Sequence, residues 1–236
     1  MKILNIGNLM VNSYLIDTGR GYILVDTGYP GGYTRFCKKI KSIGINIDEI
    51  KYIFITHVHY DHVGFLSELM RATQAKIILH NRAVEKLKAG KSIFGKEFYT
   101  FKRAKRLFSL VNLVSDNSSF EPIDEPDRYV EVVNAIEQIE VLGVRLSILT
   151  LPGHTEDSIG LMLEDGSLFC GDAAMNGFPS KNRYSILVED LTNYEESWNV
   201  MLKSKPKIIY PGHGKPFYPL DLSKFKNTHN GKLYPM

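Results

Sequence analysis

The segment Thr56-His57-Val58-His59-Tyr60-Asp61-His62 packs three of the chain's seven histidines and one aspartate into six positions. It directly follows Tyr52-Ile53-Phe54-Ile55, a β-branched and aromatic run that reads as a buried strand. Alternate side chains of an extended backbone share a face, so His57 and His59 are expected to point the same way. Asp61 and His62 follow where the strand gives out, with a helix expected near Val63. Two imidazoles aimed together, then a carboxylate and a third imidazole at a turn, can grip metal from two sides. Such donors suit zinc, and also iron or manganese.

Three further positions repeat the pattern of an apolar run closed by a glycine and a ligand-type side chain. His154 lies in Leu151-Pro152-Gly153-His154-Thr155, Asp172 in Leu168-Phe169-Cys170-Gly171-Asp172, and His213 in Tyr210-Pro211-Gly212-His213-Gly214. Glycine lets the backbone turn sharply or approach a ligand closely. Strand ends and their loops are where sites collect in layered α/β folds.

The order HxHxDH, PGHT, GD and PGHG resembles the metallo-β-lactamase-fold hydrolases, in their glyoxalase-II-like branch. Val25-Asp26-Thr27-Gly28 matches that family's early strand-end motif. The resemblance implies an α/β (α+β) chain folded as a four-layered αββα sandwich with a dinuclear site at one edge. Carried over by position, His57, His59 and His154 resemble the ligands of the first metal. Asp61, His62 and His213 resemble those of the second, and Asp172 resembles the carboxylate that bridges them. Asp26 is expected beneath the site, hydrogen-bonded to the loop that holds the histidines.

The resemblance also implies chemistry. Two divalent metal ions, zinc before iron or manganese, would hold a bridging hydroxide that attacks an ester, thioester, lactone or amide-like carbonyl. Asp61 would orient that hydroxide and carry its proton. A phosphodiesterase or nuclease on the same metals is a second reading, supported by the basic segment Lys96 to Arg106. A mononuclear-iron sulfur dioxygenase is a third. Departures from other branches narrow the choice. Tyr60 replaces the glycine of the tRNA-processing nucleases, and position 59 is His rather than the Glu of flavodiiron proteins. Tyr60 and Tyr184 are candidate phenols for an oxyanion, and Cys170 a candidate extra ligand. His80 could approach the site, and His229 is expected to be free.

At 236 residues the chain can bury an ordinary core as a single domain spanning 1–236. A formal charge of +3 argues for neither nucleic acid nor membrane. The resemblance implies a small-molecule substrate as the partner. The start, Met1 to Gly7, is too interrupted for a signal peptide, and no apolar run reaches membrane-spanning length. A cytoplasmic location is the expectation. Cys37 and Cys170 stand far apart, and no disulfide is expected.

Alternation predicts strands at Lys2–Ile6, Ser13–Ile16, Tyr22–Val25, Lys76–Leu79, Tyr129–Val133, Gln138–Val141, Arg145–Leu149, Ile159–Leu163, Leu168–Cys170 and Lys207–Tyr210. Helices are predicted over Tyr33–Ile43 and closing at Gly44, around Phe65–Ala72, and over Arg82–Lys88 with Asn81 as cap. A capping box at Thr192-Asn193-Tyr194-Glu195 would start a further helix to Lys203. Residues 91–125 break the rhythm with many aromatic and basic residues. They read either as a lid insertion over the site or as subsidiary core.

Overall fold

The central strands are apolar on both faces, and each face enters a different core. The computed structural model describes residues 1–92, 97–106 and 119–236. Six strands form one sheet in the order β1 (Lys2–Asn5), β2 (Tyr14–Asp17), β3 (Tyr22–Val25), β4 (Ile50–Phe54), β5 (Lys76–His80) and β7 (Tyr129–Val132). β1 to β3 form an antiparallel meander, whereas β3, β4, β5 and β7 run parallel. The second sheet has the order β13 (Ile208–Pro211), β11 (Ser167–Gly171), β10 (Ile159–Leu163), β9 (Val144–Thr150) and β8 (Ile136–Val141). It is antiparallel except for the parallel pair β11 and β13.

Period two assigns the side chains. Ile23, Val25, Phe54 and Ile78 meet Leu146, Ile148, Leu161 and Phe169 between the two sheets. Their neighbours Leu24, Ile53, Ile55, Ile77 and Leu79 face the opposite way, under Phe36 and Ile40 of the Tyr33–Ser42 helix and Leu66 and Leu69 of the Leu66–Ala72 helix. On the far side of the second sheet, Leu149, Leu168 and Cys170 pack under Tyr194, Trp198 and Met201 of the Leu191–Lys203 helix. The result is the helix–sheet–sheet–helix sandwich. Each fully buried large aliphatic side chain contributes roughly 1.5–3 kcal/mol of hydrophobic free energy.

A small third sheet was not legible in the pattern. It joins β12 (Leu187–Val188), β6 (Phe98–Tyr99) and β14 (Tyr234–Pro235). Two-residue strands carry no periodicity. The short Pro219–Phe225 helix was likewise unread.

Three local expectations are corrected. The helix after the HxHxDH motif starts at Tyr60, so Asp61 and His62 lie within its single turn, Tyr60–Val63. Asn81 caps nothing with its side chain: the helix is Ala83–Ala89, and the amide of Arg82 donates to Nδ1 of His80 instead. The capping residue of the Leu191–Lys203 helix is Asp190, which accepts from the amide of Asn193, rather than Thr192. A carboxylate there also complements the helix dipole, which a hydroxyl two residues later cannot match.

In the stretch 91–125, Phe94 and the polar run at 115–118 fall outside the described residues. Of the rest, Phe101 packs against the outer core of the second sheet, while Phe120 and Ile123 belong to that of the first. Among the described residues, no helix is long and apolar enough to cross a membrane.

Candidate metal centre

Five strands deliver the site from their C-terminal ends. β3 leads into Asp26, β4 into His57 and His59, β9 into His154, β11 into Asp172 and β13 into His213. Backbone hydrogen bonds tie these ends together. The amide of Ile159 donates to the carbonyl of Thr56 at 2.8 Å, and the amide of Gly212 to that of Gly171 at 2.8 Å. Asn12 reaches across from the β1–β2 loop and donates to the carbonyls of Pro211 and Gly214. The site thus forms where the open ends of the two sheets meet.

All seven side chains named from the sequence converge there. Nε2 of His154 lies 3.1 Å from Nε2 of His57 and 3.1 Å from Nδ1 of His59. On the other side, Nε2 of His213 lies 3.4 Å from Nε2 of His62 and 3.3 Å from Oδ2 of Asp61. Asp172 stands between the groups. Its Oδ2 is 3.3 Å from Nε2 of His213 and 3.7 Å from Nε2 of His154, and its Oδ1 is 3.6 Å from Nε2 of His62. His57, His62 and His154 are almost fully buried, whereas the side chains of Asp61 and His213 are each 14% exposed. The centre therefore opens on the Asp61–His213 side.

The nitrogens that face away from the centre are also placed. Nδ1 of His62 meets Oδ2 of Asp26 at 2.8 Å, and Nδ1 of His57 meets Oγ1 of Thr56 at 3.1 Å. Nδ1 of His154 meets the carbonyl of Leu187 at 2.9 Å, and Nδ1 of His213 the carbonyl of Met10 at 2.6 Å. A ring that donates outward presents a bare lone pair inward, the state a metal requires.

Asp26 also accepts from the amide and the hydroxyl of Thr56, both at 2.8 Å. Its backbone has φ +56, in the left-handed region. Such a residue costs roughly 1–3 kcal/mol. Hydrogen bonds to a charged group contribute roughly 1.5–3 kcal/mol each, so three of them outweigh the strain.

Charges divide the site. Burial, then the neighbouring imidazoles, pushes His57 down, and burial takes His154 down to about 4. Burial opposes the charge on His62 as well, but Asp61, Asp26 and Asp172 outweigh it and raise the imidazole to about 9. His213 is raised against its burial by Asp172 and Asp61. The carboxylates respond in kind. Burial opposes their charge, yet His62 and His213 hold Asp61 down to about 2, and His213 and His62 lower Asp172.

Three observations show that the residues fit divalent metal. Three groups of ligand atoms each lie within 4.8 Å: His57, His59 and His154; His57, His62 and Asp172; and Asp61, His62 and His213. Oδ1 of Asp172 is buried with no hydrogen-bond partner, an omission that costs free energy unless a cation supplies the contact. The backbone at Gly212 passes so close that a Cβ would sit 2.4 Å from that Oδ1 and 2.7 Å from Cε1 of His62. Gly212→Ala is therefore expected to lower metal content sharply. Metal analysis and melting curves together check this: full metal content at native Tm would show that the close approach has no consequence.

Other readings need amendment. Tyr184 is not at the centre; its hydroxyl donates to Glu195 and its ring lies in the outer core. Cys170 and His80 join no ligand group among the described residues. The Cys170 thiol is pushed up by burial and then by Asp172. His229 is not free: Nε2 donates to the carbonyl of Thr100 at 2.8 Å, and the ring lies against Phe101 and Tyr184.

Sequence reasoning missed Tyr29, whose phenol is raised by burial and then by Asp61, with Tyr60 and Asp172 adding to it. Its ring meets that of Tyr60 at 5.5 Å. It also missed Asp157. That carboxylate takes the amide of Val58, between His57 and His59, on one oxygen and the buried ammonium of Lys86 on the other, at 2.8 and 2.7 Å. Asp157 stands three residues beyond His154, the one signal available.

A four-layered sandwich with a His/Asp cluster at its open edge defines a hydrolase-type fold fitted for divalent metal. The chain belongs to the metallo-beta-lactamase superfamily, whose family profile matches residues 6–213. A Beta-lactamase-like protein 2 homolog of Caenorhabditis elegans is 30% identical over 205 residues, 86% of this chain and 55% of that protein. Thioesterase pkgB of Emericella nidulans is 25% identical over 206 residues, 86% of this chain and 45% of that protein. The chain thus spans about half the length of these curated relatives. Among solved structures, an archaeal metallo-beta-lactamase superfamily protein from Sulfolobus tokodaii superposes with TM-score 0.66 at 20% identity, covering 96% of this chain and 84% of that one. The Rm3 metallo-beta-lactamase gives TM-score 0.66 at 19% identity, covering 89% and 74%. These likenesses show the fold.

Proposed function

We propose that this chain is a dinuclear metal-dependent hydrolase of an ester-, thioester- or lactone-like carbonyl. The observation that carries the reading is Asp172, whose Oδ2 lies within 3.7 Å of an imidazole from each of two ligand sets. His57, His59 and His154 would hold one ion, Asp61, His62 and His213 the other, with Asp172 shared and Asp26 steadying His62 from beneath. Zinc in these positions would supply an activated water near neutral pH and polarise the carbonyl.

The protein's own groups account for the rest. Asp61 stays ionised down to about pH 2 and lies on the open side, where its carboxylate can take a proton from water and pass it to the leaving group. Tyr60, with its pKa pushed up to about 12 by burial and Asp61, keeps its proton at neutral pH and would be the donor for an oxyanion that reaches it. The relative bearing the name thioesterase supports a carbonyl substrate.

The rim favours a substrate with an apolar part. Met10, whose carbonyl holds His213, is 66% exposed, and Leu9 beside it is fully exposed. The amide of Asn176 donates to the carbonyl of His213, and Phe178 two residues on is 76% exposed. Exposed apolar side chains on the segments that hold His213 favour contact with such a part.

The test is an anaerobic screen of esters, thioesters, lactones and bis-p-nitrophenyl phosphate with zinc or manganese present. Chelator-sensitive turnover of the carbonyl substrates is expected, with kcat/KM rising with acyl length. Leu9→Ser and Phe178→Ser should flatten that rise by roughly tenfold, the worth of one or two methylenes in an apolar contact. Preferred cleavage of the phosphodiester would replace this reading with the nuclease one. One iron per chain and oxygen uptake with a persulfide would overturn hydrolysis altogether.

A further inference from the structure

Among the described residues, Glu97 is the one whose carboxylate is buried with neither oxygen hydrogen-bonded. Its side chain is 1% exposed. A buried carboxylate without partners is costly, so its position calls for a cause. Oε1 lies 3.4 Å from Nε2 of His59, longer than a full hydrogen bond.

The orientation of His59 supplies the cause. His57 and His154 turn Nε2 toward the centre, whereas His59 turns Nδ1, 3.1 Å from Nε2 of His154. If Nδ1 is to bind metal, the ring proton must sit on Nε2, and Nε2 faces Glu97. An acceptor there favours that tautomer and fixes the angle of the ring.

Glu97 is placed by the small third sheet. It immediately precedes β6, whose Tyr99 pairs with Leu187 of β12. The carbonyl of Leu187 is the partner of Nδ1 of His154. One three-stranded sheet therefore presents the outer partners of two of the three imidazoles on this side of the centre. Its other edge is β14, and the amide of Met236 just beyond donates to the carbonyl of Glu97 at 3.2 Å.

We infer that Glu97 is a positioning residue that holds His59 in its Nε2–H tautomer, making the third sheet a brace for one half of the metal centre. The inference rests on the metal reading above. It assigns Glu97 to the His57–His59–His154 set alone, because no contact joins it to His62, Asp61 or His213.

Competitive zinc titration of the wild type and of Glu97→Ala, Glu97→Gln and Glu97→Asp tests it. Nitrogen-15 spectra of the histidines in the zinc-loaded proteins provide the second readout. Glu97→Ala should weaken one of two zinc sites by roughly 10–100-fold, the usual effect of losing an outer partner, and leave the other unchanged. The His59 Nε2 proton should be observed in the wild type and shift or exchange away in Glu97→Ala. Glu97→Gln keeps an acceptor oxygen without the charge and should fall between. Glu97→Asp should recover part of the loss. Unchanged affinities in Glu97→Ala, equal weakening of both sites, or a lowered Tm alone would overturn the inference. So would a zinc-loaded wild type with the His59 proton on Nδ1. A wild type that binds no divalent metal would instead overturn the metal reading itself.

Discussion

Asp172→Asn is expected to weaken both metal ions together, by more than the roughly 10–100-fold that follows loss of an outer partner. The carboxylate sits between the two imidazole sets, with Oδ2 at 3.3 Å from one and 3.7 Å from the other. An amide keeps the shape but removes the charge and turns one of the two oxygens into a donor. The NH₂ group would then face imidazole nitrogens whichever way the amide is turned. Turnover should fall by about a thousandfold, since several kcal/mol of charge stabilisation depend on filled metal positions and each 1.36 kcal/mol is tenfold in rate. Counting sites by metal titration decides the matter. Selective loss of one ion would make Asp172 a terminal ligand of that ion, and the shared role would be withdrawn.

Metal loading should be strongly ordered by pH. In the metal-free protein His154 has a pKa of about 4 and His57 lies below its ordinary value, so both are already neutral at pH 7. His62, raised to about 9, is neutral in roughly one molecule in a hundred at pH 7. His213 is raised as well. A metal binds the neutral ring, so the Asp61–His62–His213 side must release protons on loading and the His57–His154 pair need not. The sign follows: apparent affinity on the Asp61 side climbs as pH rises from 6 to 9, by about tenfold per unit for each proton released. His59 is itself raised, by Glu97 against its burial, and adds a shallower dependence on its own side. Zinc titrations from pH 6 to 9 should show one ion binding early and the second gaining most. Equal slopes for the two ions would sink this ordering.

Much of the site was legible because its chemistry is local. His57 and His59 follow one strand end, where alternation points them the same way, and Asp61 and His62 lie in the helical turn just beyond, so all four reach one edge. His154, Asp172 and His213 each stand beside a glycine at the close of an apolar run, and the runs became β9, β11 and β13. The strands themselves were legible for the same reason. Period-two alternation between two apolar faces is a statement about neighbours in the chain, and Leu24 against Ile23 or Ile53 against Phe54 needs no distant partner to be read.

The misreadings share the opposite cause. Tyr184 and His229 looked available because nothing near them in sequence satisfied them; the fold brought Glu195 to one and Thr100 to the other. The two-residue strands of the third sheet exist only through pairing with one another.

The chain alone determined which side chains can hold metal and at which strand ends they stand, because periodicity and ligand chemistry are written into short windows. Tertiary structure decided the rest. It set Asp172 between two imidazole sets, put Glu97 against His59 across 38 positions of chain, and linked Asp157 to both Val58 and Lys86. Such pairings join segments whose separation carries no local signal. They form because the packing of two sheets brings those strand ends to one edge, where a buried charge must find a partner.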